Sequence, residues 1–212
     1  MEFETEEQQV EALKKWWKEN GKQVIVGAVI GFGVIIGWRY YINYSEKQAA
    51  QASALFEQVI QSDDSTNVDK AAVYEKIKAN YSSTPYQPAA ALMVAKSFYL
   101  SGEKDRAISV LDDVINNNRY NVVTQVAIER KARILIDMNK AGEALAVLDV
   151  KTMPGFEAIF AELEGDAYVL KGDIKKARLS YDKALLLNTS GSKQLLQMKR
   201  DNLGNETVSS AA

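Results

Sequence analysis

From Gln23 to Trp38 the chain reads QVIVGAVIGFGVIIGW, a run without a single charge. A helix of that composition has no polar face to turn toward water, so it does not fit the surface of a soluble domain. Continuing through Arg39 to Tyr44 adds one charge near the outer end. At 1.5 Å per residue the stretch 23–44 spans about 33 Å, close to the thickness of a hydrocarbon core. Lys22 marks one edge; Trp38, Arg39, Tyr40, Tyr41 and Tyr44 mark the other. Aromatic rings favour the headgroup region, and an arginine there can extend its charge into water. A cleaved signal peptide needs small residues directly after the apolar run. Bulky WRYY follows instead, and Ala52-Ser53-Ala54 comes too late. The expectation is a retained transmembrane helix over 23–44.

The flanking cations orient it. Lys14, Lys15, Lys18 and Lys22 precede the helix, while only Arg39 and Lys47 follow closely. Orientation follows lysine and arginine rather than net charge, so Glu2, Glu4, Glu6, Glu7 and Glu11 do not cancel the bias. Residues 1–22 are therefore expected as a cytoplasmic tail, with the chain from Ser45 onward across the membrane. Within the helix, Gly27/Gly31 and Gly33/Gly37 form two small-x-x-x-small pairs. Such a face lets a second membrane helix approach closely, although glycine is also simply common in membrane helices. Trp16 and Trp17 suit the bilayer interface, or else a cytoplasmic partner.

Past Ser45 the sequence repeats. Ala95, Phe98, Gly102 and Ala107 occur at the same spacing as Ala132, Leu135, Asn139 and Ala144, and as Gly165, Tyr168, Gly172 and Ala177. A small residue lets two helices touch, and a bulky one three positions later fills the groove beside it. Glycine or asparagine then serves a turn at positive φ. A second small residue faces back to the first helix. This is the tetratricopeptide pattern. The third unit fits best, with Tyr181 and Ala184 continuing it; the second is weaker, since Lys151 falls where a small residue is usual. Ser45–Gln61 and Asn67–Asn80 read as a further helix pair joined by a polar loop. Lys193–Leu203 reads as a closing helix over the last repeat. The fold class is thus all-α: a transmembrane helix (23–44), an α-solenoid of helix pairs (45–203), and a C-terminal tail (204–212).

Composition narrows function by exclusion. The chain has no histidine and no cysteine, so it lacks the ordinary neutral-pH base, the usual zinc shell and the Ser-His or Cys-His pair. A net charge of -2 argues against nucleic-acid binding. Asp63, Asp64 and Asn67 superficially resemble a calcium loop but lack its glycine and closing glutamate. Glu162 and Asp166, four apart on one helix, could form a carboxylate pair; a solvated surface is the simpler account. No enzyme activity, cofactor or metal is expected. Repeat solenoids act by binding along the face of their first helices. In this register that face presents Leu92, Lys96, Tyr99, Glu129, Arg133, Glu162, Asp166 and Val169.

The block EQQVEALKKWWKENGK, the glycine-bearing helix ending GWRYY, the repeat GDAYVLKGDIKKARLSYDKAL and the closing QLLQMKRDNL together resemble the YfgM family of ancillary SecYEG translocon subunits. The likeness runs from Glu7 to about Leu203 and is specific mainly through the membrane block. It implies a bacterial inner-membrane protein with a periplasmic repeat domain. Implied partners are the SecYEG translocon, the membrane-anchored chaperone PpiD and secretory client proteins, alongside membrane lipid. The resemblance also links the cytoplasmic tail to control of an envelope-stress regulator. The alternative reading is accordingly a membrane-tethered regulator that holds a cytoplasmic factor through Glu2–Lys22.

Overall fold

The computed structural model describes residues 6–61, 69–117, 121–187 and 193–204. Among these residues the chain is all-helical: α1 (Glu6–Gln61), α2 (Lys70–Asn80), α3 (Tyr86–Leu100), α4 (Lys104–Asn117), α5 (Asn121–Asp137), α6 (Ala141–Leu148), α7 (Glu157–Leu170), α8 (Ile174–Leu187) and α9 (Lys193–Asp201). Two compact units divide between Gln51 and Ala52. The segment once compared with a calcium loop (Asp63, Asp64, Asn67) and the tail beyond Gly204 lie outside the described residues.

The first unit consists of the long helix. Its stretch from Gln9 to Lys47 is exposed except at Asn20 and Gly21. Trp17 folds back over Gly21, where an added Cβ would meet the indole at 3.3 Å. Among the described residues α1 is the one helix long and apolar enough to cross a membrane, and its apolar window is wholly unburied. The helix does not stop at Tyr44. From Trp38 to Gln61 there is no glycine or proline, and the run QAAQASAL favours helix, so the chain continues in register. Ser45 caps nothing; its hydroxyl donates back to the Ile42 carbonyl at 2.9 Å.

The second unit opens with the last turns of α1. Ala52 and Val59 are fully buried, and the Phe56 ring lies 5.7 Å from that of Tyr86. Val59 joins Tyr74, Ile77, Ala90, Val94 and Leu111 in the largest apolar cluster. Asp69 starts α2 by accepting a hydrogen bond from the Ala71 amide at 2.9 Å. Pro85 immediately precedes α3 and Pro88 sits in its first turn, where a missing N–H costs nothing. From there helices pack in consecutive pairs, α3 with α4, α5 with α6 and α7 with α8. Each pair also leans on the next, and the first helices α3, α5 and α7 meet side by side.

The repeat register appears in the backbone as one motif formed three times. Gly102, Asn139 and Gly172 have φ of +83°, +59° and +73°. At each turn the following amide reaches back five residues: Glu103 to Phe98, Lys140 to Leu135 and Asp173 to Tyr168, at 2.8, 2.8 and 3.0 Å. The turn residue itself donates to Tyr99, Ile136 or Val169. These are Schellman closures, which satisfy carbonyls that a helix end would leave open. Ala95, Ala132 and Gly165 on the first helices, and Ala107, Ala144 and Ala177 on the second, are all buried. The second repeat departs from its neighbours where Lys151 signalled it. Its second helix α6 stops at Leu148, three residues before Lys151, which is exposed in the connection to α7.

Candidate partner-binding surface

The first-helix face is set by three register positions. Three residues before the small residue stand Leu92, Glu129 and Glu162; one after it stand Lys96, Arg133 and Asp166; four after it stand Tyr99, Ile136 and Val169. The charge at the middle position therefore reverses along the face, from lysine and arginine on α3 and α5 to aspartate on α7. The structure puts the two ends of this series to different uses.

Between α3 and α5 lies an open cleft of about 500 Å³. Four of the sequence-predicted residues, Lys96, Tyr99, Glu129 and Arg133, line it together. Ala95, Leu111 and Ile134 form its apolar floor, and Leu100 stands 72% exposed on its lip. The Arg133 guanidinium pairs with Glu129 one turn back on α5. The Tyr99 hydroxyl donates to the Asp137 carboxylate at 3.2 Å, and Lys104 pairs with the same group at 2.6 Å. That lysine's hydrogen bond holds the Asp137 carboxyl below its usual range. Leu92 is turned toward the core, and its carbonyl accepts from Arg130 at 2.8 Å. Arg130 and Leu100 were not among the predicted residues.

Glu162 and Asp166 lie elsewhere, under the closing helix α9. Lys199 donates to Glu162 at 2.7 Å and to both oxygens of Asp166 at 2.8 and 2.9 Å. Tyr181, from α8, donates its hydroxyl to Asp166 at 2.7 Å. Partial burial opposes the Lys199 charge, but its bonds to Asp166 and Glu162 outweigh this and raise its pKa above the ordinary lysine value. Burial, then the hydrogen bond to charged Asp166, pushes the Tyr181 phenol well above its ordinary value. Three residues before Lys199 on α9, Leu196 is buried beside Ala161, Tyr181 and Ala184. The carboxylates thus spend their acceptor capacity on holding the cap, an arrangement suited to structure rather than proton transfer. Val169 remains exposed at the end of α7. The four membrane-helix glycines, Gly27, Gly31, Gly33 and Gly37, stand in open space, with nothing within 4 Å of an added Cβ.

The sequence profile of a family described as a tetratricopeptide repeat-like domain matches residues 14–205. An ancillary SecYEG translocon subunit of Haemophilus influenzae is 33% identical over 199 residues, covering 93% of this chain and 97% of that protein. The protein of the same name from Escherichia coli is 31% identical over 202 residues, covering 95% and 98%. One from Neisseria gonorrhoeae is 25% identical over 202 residues, covering 93% and 97%. No solved structure matches. With the three Schellman turns, the paired helices and a likeness that runs from the membrane-length helix to the closing one, the chain belongs to the tetratricopeptide repeat-like family of ancillary SecYEG translocon subunits.

Proposed function

We propose that this protein is an inner-membrane-anchored binding subunit that associates with the Sec translocon and helps pass secretory proteins to periplasmic chaperones, PpiD among them. The observation that carries the reading is the end-to-end likeness to relatives named as translocon subunits, covering the apolar helix and the repeats together. An exposed apolar helix in one unit and a cleft-bearing repeat solenoid in the other suit an anchor and a gripping domain. The lysine bias before the helix favours a cytoplasmic N-terminus and a periplasmic repeat domain. The pairs Gly27/Gly31 and Gly33/Gly37 each have open space for the close approach of another membrane helix. The chain acts by binding: among the described residues the Glu162 and Asp166 carboxylates are taken up by Lys199 and Tyr181, a structural use that suits a binding fold.

Site-specific photo-crosslinking in intact cells tests this, with probes replacing Val34, Tyr99 and Arg133 in turn. Adducts from Val34 to translocon subunits, and from the cleft positions to a chaperone or secretory client, are expected. Silence at all three positions, with adducts only from probes at Trp16 and Trp17, would favour the membrane-tethered regulator instead.

A further inference from the structure

We infer that the cleft between α3 and α5 takes an extended polypeptide segment in which an acidic residue lies next to a bulky apolar one. This rests on the binding role proposed above and assigns it a place and a ligand chemistry. The cleft's floor is apolar and its volume, about 500 Å³, accommodates one or two large side chains. Its charged lining is unbalanced: Lys96, Arg130 and Arg133 against Glu129 alone.

Those charges are not equally available. Arg133 and Glu129 neutralise each other, and Arg130 is tethered to the Leu92 carbonyl. Lys96 is exposed and, among the described residues, makes no ion pair or hydrogen bond. A free cation at the edge of an apolar trough selects for a carboxylate set beside an apolar side chain. The apolar group gains by leaving water, while the carboxylate finds a partner without displacing an existing pair. A basic segment would meet Lys96 and Arg130 with nothing but an already paired glutamate to receive it. The acidic end of the same face gives no alternative site for such a segment, because α9 already covers Glu162 and Asp166.

The test uses the full-length protein in detergent micelles and three fluorescein-labelled twelve-residue peptides. The first carries Asp-Phe-Glu-Leu at its centre, the second has lysines for the acids, and the third has serines for the apolar residues. Fluorescence anisotropy should show saturable binding of the first peptide and at least tenfold weaker binding of the other two. Lys96→Glu should weaken the first peptide at least tenfold. Because Lys96 is exposed, the variant's circular dichroism and thermal midpoint should match the parent's. Equal binding of all three peptides, or full binding by Lys96→Glu, would overturn the inference. So would the absence of saturable binding of the first peptide while Tyr99 and Arg133 probes still crosslink to clients, an outcome that leaves the binding role standing. Loss of those crosslinks as well would remove the binding role itself.

Discussion

A Cβ atom placed on Gly165 would lie 2.4 Å from Cε1 and 2.5 Å from Cδ1 of Tyr181. No side chain fits there. The tyrosine cannot swing aside, because its ring is buried and its hydroxyl is held by Asp166 at 2.7 Å. Glycine at this position is therefore what brings α7 and α8 close enough for that bond. Gly165→Ala should destabilise the repeat domain by about 1–2 kcal/mol. This is an overpacking cost of about 1–3 kcal/mol, partly offset by the better helix propensity of alanine. Urea denaturation followed by circular dichroism measures it. An unchanged or raised midpoint would mean that the ring relaxes freely.

Lys199 holds the closing helix by charge. Lys199→Met leaves Glu162 and Asp166 without their cation and should cost about 1–3 kcal/mol at neutral pH. The pH dependence distinguishes this from lost packing. Lys199 has a raised folded-state pKa, so its contribution is complete below the unfolded lysine value of about 10.4 and fades as pH climbs through the higher folded value. The stability gap between parent and variant should therefore hold steady from pH 7 to 9 and narrow above about pH 10. A gap independent of pH would point to packing alone.

Asn139 occupies a turn whose two counterparts are glycines, at φ +59°. Asn139→Gly should leave the thermal midpoint nearly unchanged, since glycine adopts this region freely while losing more entropy on folding. Asn139→Val should cost about 1–2 kcal/mol, because a β-branched side chain is strained at positive φ. Differential scanning calorimetry of the two variants is the check; similar effects from glycine and valine would refute the turn argument.

Gln125 is buried and stitches the connection after α6 to α5. It donates to the Lys151 carbonyl at 3.5 Å and accepts from the Met153 amide at 3.3 Å. Gln125→Leu preserves bulk but removes both bonds. Amide hydrogen exchange at Met153 should accelerate roughly five- to thirtyfold, corresponding to about 1–2 kcal/mol of local opening. Exchange as slow as in the parent would assign the order of this loop to other contacts.

The membrane-helix glycines carry the last prediction. Gly31 has open space around it, so Gly31→Ile should leave the chain folded and inserted. It should nevertheless reduce co-purification of translocon subunits severalfold, because a branched side chain blocks close helix approach. Quantitative mass spectrometry of mild-detergent pull-downs reads this out. Undiminished recovery would place the membrane contact on another face.

The sequence by itself determined the elements that depend on local chemistry. The uncharged run from Gln23 to Trp38 announced the exposed apolar helix. The small and turn residues announced the repeats down to Gly102, Asn139 and Gly172, because left-handed φ and close helix contact each demand particular residue types. It also marked Lys151 as an irregularity, which proved to be the early end of α6. Tertiary structure alone decided how the shared face is spent. Lys96 and Asp166 hold equivalent repeat positions, yet one is exposed beside an apolar cleft, unpaired among the described residues, and the other is bound by Lys199, distant in sequence. Periodicity predicts which side of a helix faces a neighbour, but not which charge arrives there from another helix. That outcome depends on where the fold brings α9 to rest.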